Sequence, residues 1–264
     1  MTAPPLSLPV PERVPRILPG HLVPGSLSVV VYGPGRGEAV VVFLPDGSVG
    51  VVDGCREPER GNDEGTGDPV RQMLSEYEES VPGFRFRFVC LTHPHEDHYL
   101  GLGRLMAAYE ERIERAWETL PVSGRFQRQL VEYVKNSIAR RGAVPEDEPE
   151  LRGLERVFDA FGRFLKTRQL HYDHVERNKT LLDETLLVHR TSIVGWAAHA
   201  ADIRSATEDF GLVVEAVATD GVVRAHDANR LRGALSISWG DAGVLLAGDT
   251  LREQGSHVGW RGAH

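Results

Sequence analysis

A chain of 264 residues, 41% hydrophobic and 26% charged, is long enough to bury one large core or two small ones. Its formal net charge of −8 argues against broad, charge-driven binding to nucleic acid, although divalent ions held by acidic ligands would reverse the sign locally. No apolar run approaches the length of a bilayer span, and Met1-Thr2-Ala3-Pro4-Pro5 lacks a basic stretch followed by an apolar one, so a cytoplasmic protein with no membrane partner is expected. Cys55 and Cys90 are too few for a disulfide framework, though they could pair if their strands were adjacent.

Residues 1–24 are rich in proline and read as an extended arm. Strands are predicted over 27–32, 39–44 and 48–53, the last two joined by the turn Pro45-Asp46-Gly47. A polar loop with many Gly, Asp and Glu covers 56–69 and is placed to border a site mouth. Residues 85–92 then alternate apolar with basic before turning wholly apolar, the pattern of a strand entering a sheet interior, and Pro94 ends it.

Directly after this strand come Thr92-His93-Pro94-His95-Glu96-Asp97-His98-Tyr99-Leu100-Gly101. Imidazoles and carboxylates packed so closely on one loop form the donor set of a metal site suited to zinc, manganese or iron. His93 and His95 are placed to share one ion, while Asp97 and His98 could point to a second.

Helices are predicted over 100–117, through Leu102, Leu105, Met106, Tyr109 and Ile113, then over 129–140 and over 151–170, through Leu154, Val157, Phe158, Phe161 and Leu165. The acidic turn Pro145-Glu146-Asp147-Glu148-Pro149 separates the last two. Residues 118–180 read as a helical insertion that could cover a site or bind a partner. Within it, His171 and His174 have helical metal-pair spacing but read as a polar helix end, and Phe158, Phe161 and Phe164 read as packing. Short apolar strands follow over 186–190, 212–217, 235–239 and 244–247.

The motif His93-x-His95-x-Asp97-His98 resembles the signature of the metallo-β-lactamase superfamily. The strands before Asp53-Gly54, and the run Gly243-Val244-Leu245-Leu246-Ala247-Gly248-Asp249-Thr250, are similar to that family's opening strands and to the strand that ends in its bridging aspartate. Within the superfamily, Asn229 to Trp239 followed by Leu245 to Asp249 looks like the hydrolase domains of DNA-uptake (competence) proteins, although Gly233 and Ala234 stand where those carry a serine. The resemblance implies an α/β fold, an αββα four-layer sandwich over 1–264. It implies two divalent metal ions, zinc or manganese, with His93 and His95 on the first, Asp97 and His98 on the second, and Asp249 bridging both. Asp53 would accept hydrogen bonds that orient the ligand loop, or else is a turn aspartate before Gly54. The family's further histidines have no clear counterpart. His189 and His199 are candidates for the first metal, and His257 and His264 for the second. Only residues 251–264 follow the aspartate motif, so a fragment of a longer protein is expected.

Hydrolysis by metal-activated water, with Asp97 and His98 as the catalytic pair, is the chemistry that such a site carries. A phosphodiesterase or nuclease acting on nucleic acid or another phosphodiester leads. An ester or lactam hydrolase is an alternative. A third reading is an effector or interaction domain of a larger, antiviral-defence protein, with a protein partner or a fused C-terminal region.

Overall fold

Six strands hydrogen-bond in chain order to make the first sheet: β1 (Ser28–Tyr32), β2 (Ala39–Phe43), β3 (Val49–Val52), β4 (Phe86–Leu91), β5 (Ala116–Glu118) and β6 (Tyr172–His174). The computed structural model describes residues 22, 25–33, 37–55, 69–93, 96–119, 149–167, 171–197 and 233–246. β1, β2 and β3 form an antiparallel meander, and β3 to β6 run parallel. Parallel neighbours need crossovers. The described helices α1 (Pro69–Ser80), α2 (Glu96–Tyr99), α3 (Leu102–Ala108) and α4 (Pro149–Thr167) lie in those connections. The second sheet is antiparallel, in the order β10 (Ala242–Leu246), β9 (Gly233–Trp239), β8 (His189–Ala197) and β7 (Lys179–Leu186).

Burial explains the strand compositions. The apolar run of β2 is almost entirely buried, and Phe86, Phe88, Val89 and Cys90 of β4 are fully so. Phe88 stacks on Trp117 of β5 at 4.6 Å between ring centroids. In β8 and β9 burial alternates instead, with Thr191, Ile193, Ala197, Leu235 and Ile237 turned inward.

Helix α1 buries Val70, Met73, Leu74 and Tyr77 at three-and-four spacing. Its Tyr77 hydroxyl donates to the Gly47 carbonyl at 3.1 Å, tying the helix to the β2–β3 turn. Helix α4 buries Val157, Phe158, Phe161 and Phe164, each worth about 1.5–3 kcal/mol of transfer free energy. These aromatics pack the core, as their spacing predicts. α3 and α4 cross closely at Gly103, where a β-carbon would stand 2.6 Å from the Val157 nitrogen.

The sheets are joined at both ends. Away from the metal loop, Glu184 of β7 pairs with Arg115 and, at 3.3 Å, with Arg87 of β4. At the metal loop, the Gly233 amide donates to the Thr92 carbonyl at 3.0 Å.

Several expectations are corrected. The helix over 100–117 ends at Ala108; a single 3-10 turn, Glu110–Arg112, follows, and then β5. Ile113 has helical spacing but bridges to Phe86, and Trp117 belongs to Phe88, so sheet contacts override the local period. The strand over 186–190 is split by a two-residue turn at Leu187 and Val188, between the paired residues Leu186 and His189. The sequence hid this turn because both residues are apolar, Leu187 with a φ of 56° and Val188 83% exposed. Tyr172–His174 is a strand rather than a helix end, β5 replaces the end of the predicted helix, and α1, most of β7 and most of β8 carry no expectation from the sequence. The segment 118–180 therefore shares its ends with both sheets while α4 packs within it. The helix over 129–140, the strand over 212–217, the arm before Leu22 and most of the loop over 56–69 lie outside the described residues. Cys55 and Cys90 are both buried and are not joined in a disulfide.

Candidate metal centre

The parallel run of β3 and β4 brings Asp53 and Thr92, one residue beyond each strand, side by side at the carboxyl edge of the sheet, where α/β folds place their ligands. Asp53 takes a left-handed φ of 60°, which aspartate tolerates better than most residues, while its amide donates to the Cys90 carbonyl at 2.8 Å. Its carboxylate is buried. Oδ1 accepts the Thr92 amide at 2.7 Å, and Oδ2 accepts the Thr92 hydroxyl at 2.6 Å and His98 Nδ1 at 2.7 Å.

Gly54 completes the clamp. Its amide donates to the His98 carbonyl at 2.6 Å. A β-carbon there would overlap the Leu100 carbonyl oxygen and stand 2.9 Å from the Leu102 nitrogen. Aspartate followed by glycine is thus required for two reasons: a carboxylate reaching under the loop and a backbone pressed against it.

The short helix α2 carries Asp97 and His98 back over His93. One ligand atom from each of His93, Asp97 and His98 lies within 4.8 Å of the others. The two imidazole rings sit 3.8 Å apart at 50°, and Asp97 Oδ1 is 3.7 Å from His98 Nε2. His93 and His98 are buried, whereas the Asp97 side chain is 32% exposed, so the cluster opens on the aspartate side. Two imidazoles and a carboxylate converging in this way fit a divalent ion such as zinc or manganese.

Of the residues expected at the site, His93, Asp97 and His98 come together, with Asp53 behind them. His95 and Asp249 lie outside the described residues, as do His199, His257 and His264. His189 is elsewhere. It begins β8, whose other end, Ala197, pairs with the Gly233 that meets Thr92. Eight strand steps separate His189 from that end, about 26 Å at ~3.3 Å per residue, and its ring packs on Trp239 instead.

Two residues at this edge had no role in the sequence reading. Thr92 had its signal in plain view, a hydroxyl residue immediately before the first histidine. Its carbonyl also accepts from the Thr119 hydroxyl. Glu118, at the end of β5 beside Leu91, is fully buried and accepts the Tyr172 hydroxyl. Burial pushes its carboxyl up to about 8, against the opposing pull of that hydrogen bond, so it is protonated at neutral pH. An acid following Ala116 and Trp117 in a strand was its signal, concealed by the helical reading of that stretch.

No curated protein matches this chain. The sequence profile of the metallo-beta-lactamase superfamily matches residues 61–261, a span that contains the whole His93 to His98 cluster and Asp249 and begins after Asp53. With two sheets, helices on the first, and a histidine-aspartate cluster at the strand ends, the chain belongs to the metallo-beta-lactamase superfamily.

Proposed function

We propose that the protein is a dinuclear metal-dependent hydrolase of phosphodiesters, with nucleic acid as the leading substrate. The observation that carries the metal-dependent part is the convergence of His93, Asp97 and His98 within 4.8 Å over the buried Asp53 carboxylate. Divalent ions in such a site lower the pKa of a water and brace the charge that builds on the attacked group.

The chain's own residues have definable parts. His93 and His98 supply neutral nitrogens, and Asp53 holds the His98 ring by its Nδ1 proton. Asp97, the exposed member, is placed to ligate and to accept a proton from the attacking water on the solvent side. His95 is assigned with His93 to the first ion, and Asp249 to the bridge between the two.

The phosphodiester preference is supported by the likeness of the stretch from Asn229 to Asp249 to the hydrolase domains of DNA-uptake proteins; the paired strands β9 and β10 lie within it. Elemental mass spectrometry on the purified chain tests the site: near two zinc or manganese ions are expected, falling to near zero in His93→Ala/His95→Ala. Cleavage of single-stranded DNA and of bis-p-nitrophenyl phosphate tests the substrate class. Turnover of p-nitrophenyl acetate or a lactam alone would overturn the phosphodiester assignment and leave the metal site standing.

A further inference from the structure

One hydroxyl lies between both imidazoles and the carboxylate behind them. Thr92 Oγ1 is 2.6 Å from Asp53 Oδ2, 3.2 Å from His93 Nδ1 and 3.5 Å from His98 Nδ1. A hydroxyl has one proton to give, and an ionised carboxylate can only accept. The short contact to Asp53 takes that proton, which leaves the Thr92 oxygen as an acceptor toward His93. His93 must then carry its own proton on Nδ1 and keep its lone pair on Nε2. His98 reaches the same state directly, since its Nδ1 donates to Asp53 Oδ2 at 2.7 Å.

We propose that Thr92 is a positioning residue that fixes the tautomer of His93. Through it the single carboxylate of Asp53 sets both imidazoles with Nε2 as the ligating nitrogen. The inference rests on the metal-site reading above only for its purpose; the proton arrangement is a property of the chain before any ion binds.

The geometry around Thr92 supports a dedicated position. The residue is buried, its amide is held by Asp53 Oδ1, and its carbonyl by Gly233 and Thr119. The backbone is thus fixed by partners that do not involve the hydroxyl, so its direction is set and its removal need not move the chain. Valine has nearly the same shape without the oxygen. In Thr92→Val, His93 loses the acceptor that selects its tautomer while His98 keeps Asp53.

The test is long-range proton–nitrogen correlation on the full chain labelled with 15N-histidine and stripped of metal by a chelator, with His93→Gln and His98→Gln used for assignment. In the wild type and in Thr92→Ser, both rings should show a protonated Nδ1 and a bare Nε2. In Thr92→Val, His98 should be unchanged and His93 should become a mixture of tautomers, with zinc affinity down about 10- to 100-fold. A wild-type His93 protonated at Nε2, or a His93 tautomer indifferent to the loss of the hydroxyl, overturns the proposal. If Thr92→Val does not fold, the wild-type and Thr92→Ser spectra decide alone. Tautomers as stated in a chain that takes up neither zinc nor manganese would support this inference and sink the hydrolase reading.

Discussion

Gly37, in the connection from β1 to β2, lies against the backbone of Asp97: a β-carbon on residue 37 would overlap the Asp97 carbonyl oxygen and stand 2.9 Å from its Cα. The first hairpin thus presses on the residue that opens the metal cluster to solvent. Gly37 also has a φ of 86°, so alanine would pay for strain as well as for the clash. Gly83 offers a control, having a φ of 71° and nothing within 4 Å of the built β-carbon. Gly83→Ala should cost about 1 kcal/mol of stability and leave zinc affinity alone. Gly37→Ala should cost more and weaken zinc binding, as measured by competition with a chromophoric chelator beside thermal denaturation.

Asp53→Asn keeps the shape of the side chain and changes its proton inventory. One of the two oxygens becomes an NH2 donor facing either the Thr92 amide or the paired Thr92 hydroxyl and His98 Nδ1. Facing the amide, the NH2 sets donor against donor; facing the other pair, it makes the Thr92 hydroxyl and His98 Nδ1 acceptors and reverses the His98 tautomer. The variant should lose about 1–3 kcal/mol of stability and about 10- to 100-fold in metal affinity. Unaltered affinity would mean that Asp53 is only a turn residue.

Glu118 gives the fold a pH dependence whose sign is fixed. Its folded value, raised to about 8, lies above the ordinary unfolded one, so the group favours the folded state fully below about 4.5 and loses that advantage as the pH rises through 8. At pH 7 the unfolded chain has released a proton that the folded chain retains, a penalty of up to about 3 kcal/mol at 1.36 kcal/mol per unit. Glu118→Gln should therefore raise the melting temperature near neutrality and flatten its fall between pH 5 and 9, by calorimetry across that range. Parallel curves for variant and wild type would show that the carboxyl is not buried in its neutral form.

Of the two histidine candidates for the first ion, only His189 lies among the described residues. His189→Ala should remove only a ring contact with Trp239 and leave metal content unchanged, since residue 189 stands at the far end of β8. His199 lies outside the described residues and is kept as the candidate ligand named from the sequence. His199→Ala should reduce metal uptake, as read by elemental analysis. Loss in His189→Ala alone would contradict the register of the second sheet.

The metal cluster was legible because its ligands are neighbours in sequence, and a run of ligand types after an apolar strand needs no tertiary knowledge. Asp53 was legible only through the family resemblance of the strands that end in Asp53-Gly54, since an aspartate before a glycine reads equally as a turn. What the sequence concealed depends on contacts across the fold. Ile113 and Trp117 continue a helical period, yet their partners are Phe86 and Phe88, so a helix was expected where β5 forms. Leu187 and Val188 form a turn without any turn residue, held by the pairing of Leu186 with His189. Gly37 reads as one glycine among several in a hairpin tip, and only its approach to Asp97 shows why no side chain fits.

The parallel pairing of β3 with β4 has a kinetic consequence. Asp53 and Thr92 are 39 residues apart, and the chain must complete α1 and return before they can touch. Loop closure on that scale has to be met before the contact rewards it, which places assembly of this edge among the slower, non-local events of folding. A peptide spanning only residues 84–101 would carry the histidines and Asp97 but not the carboxylate that orders them. It should therefore bind zinc weakly and with its imidazole protons unassigned, and adding the first three strands in trans should restore the order.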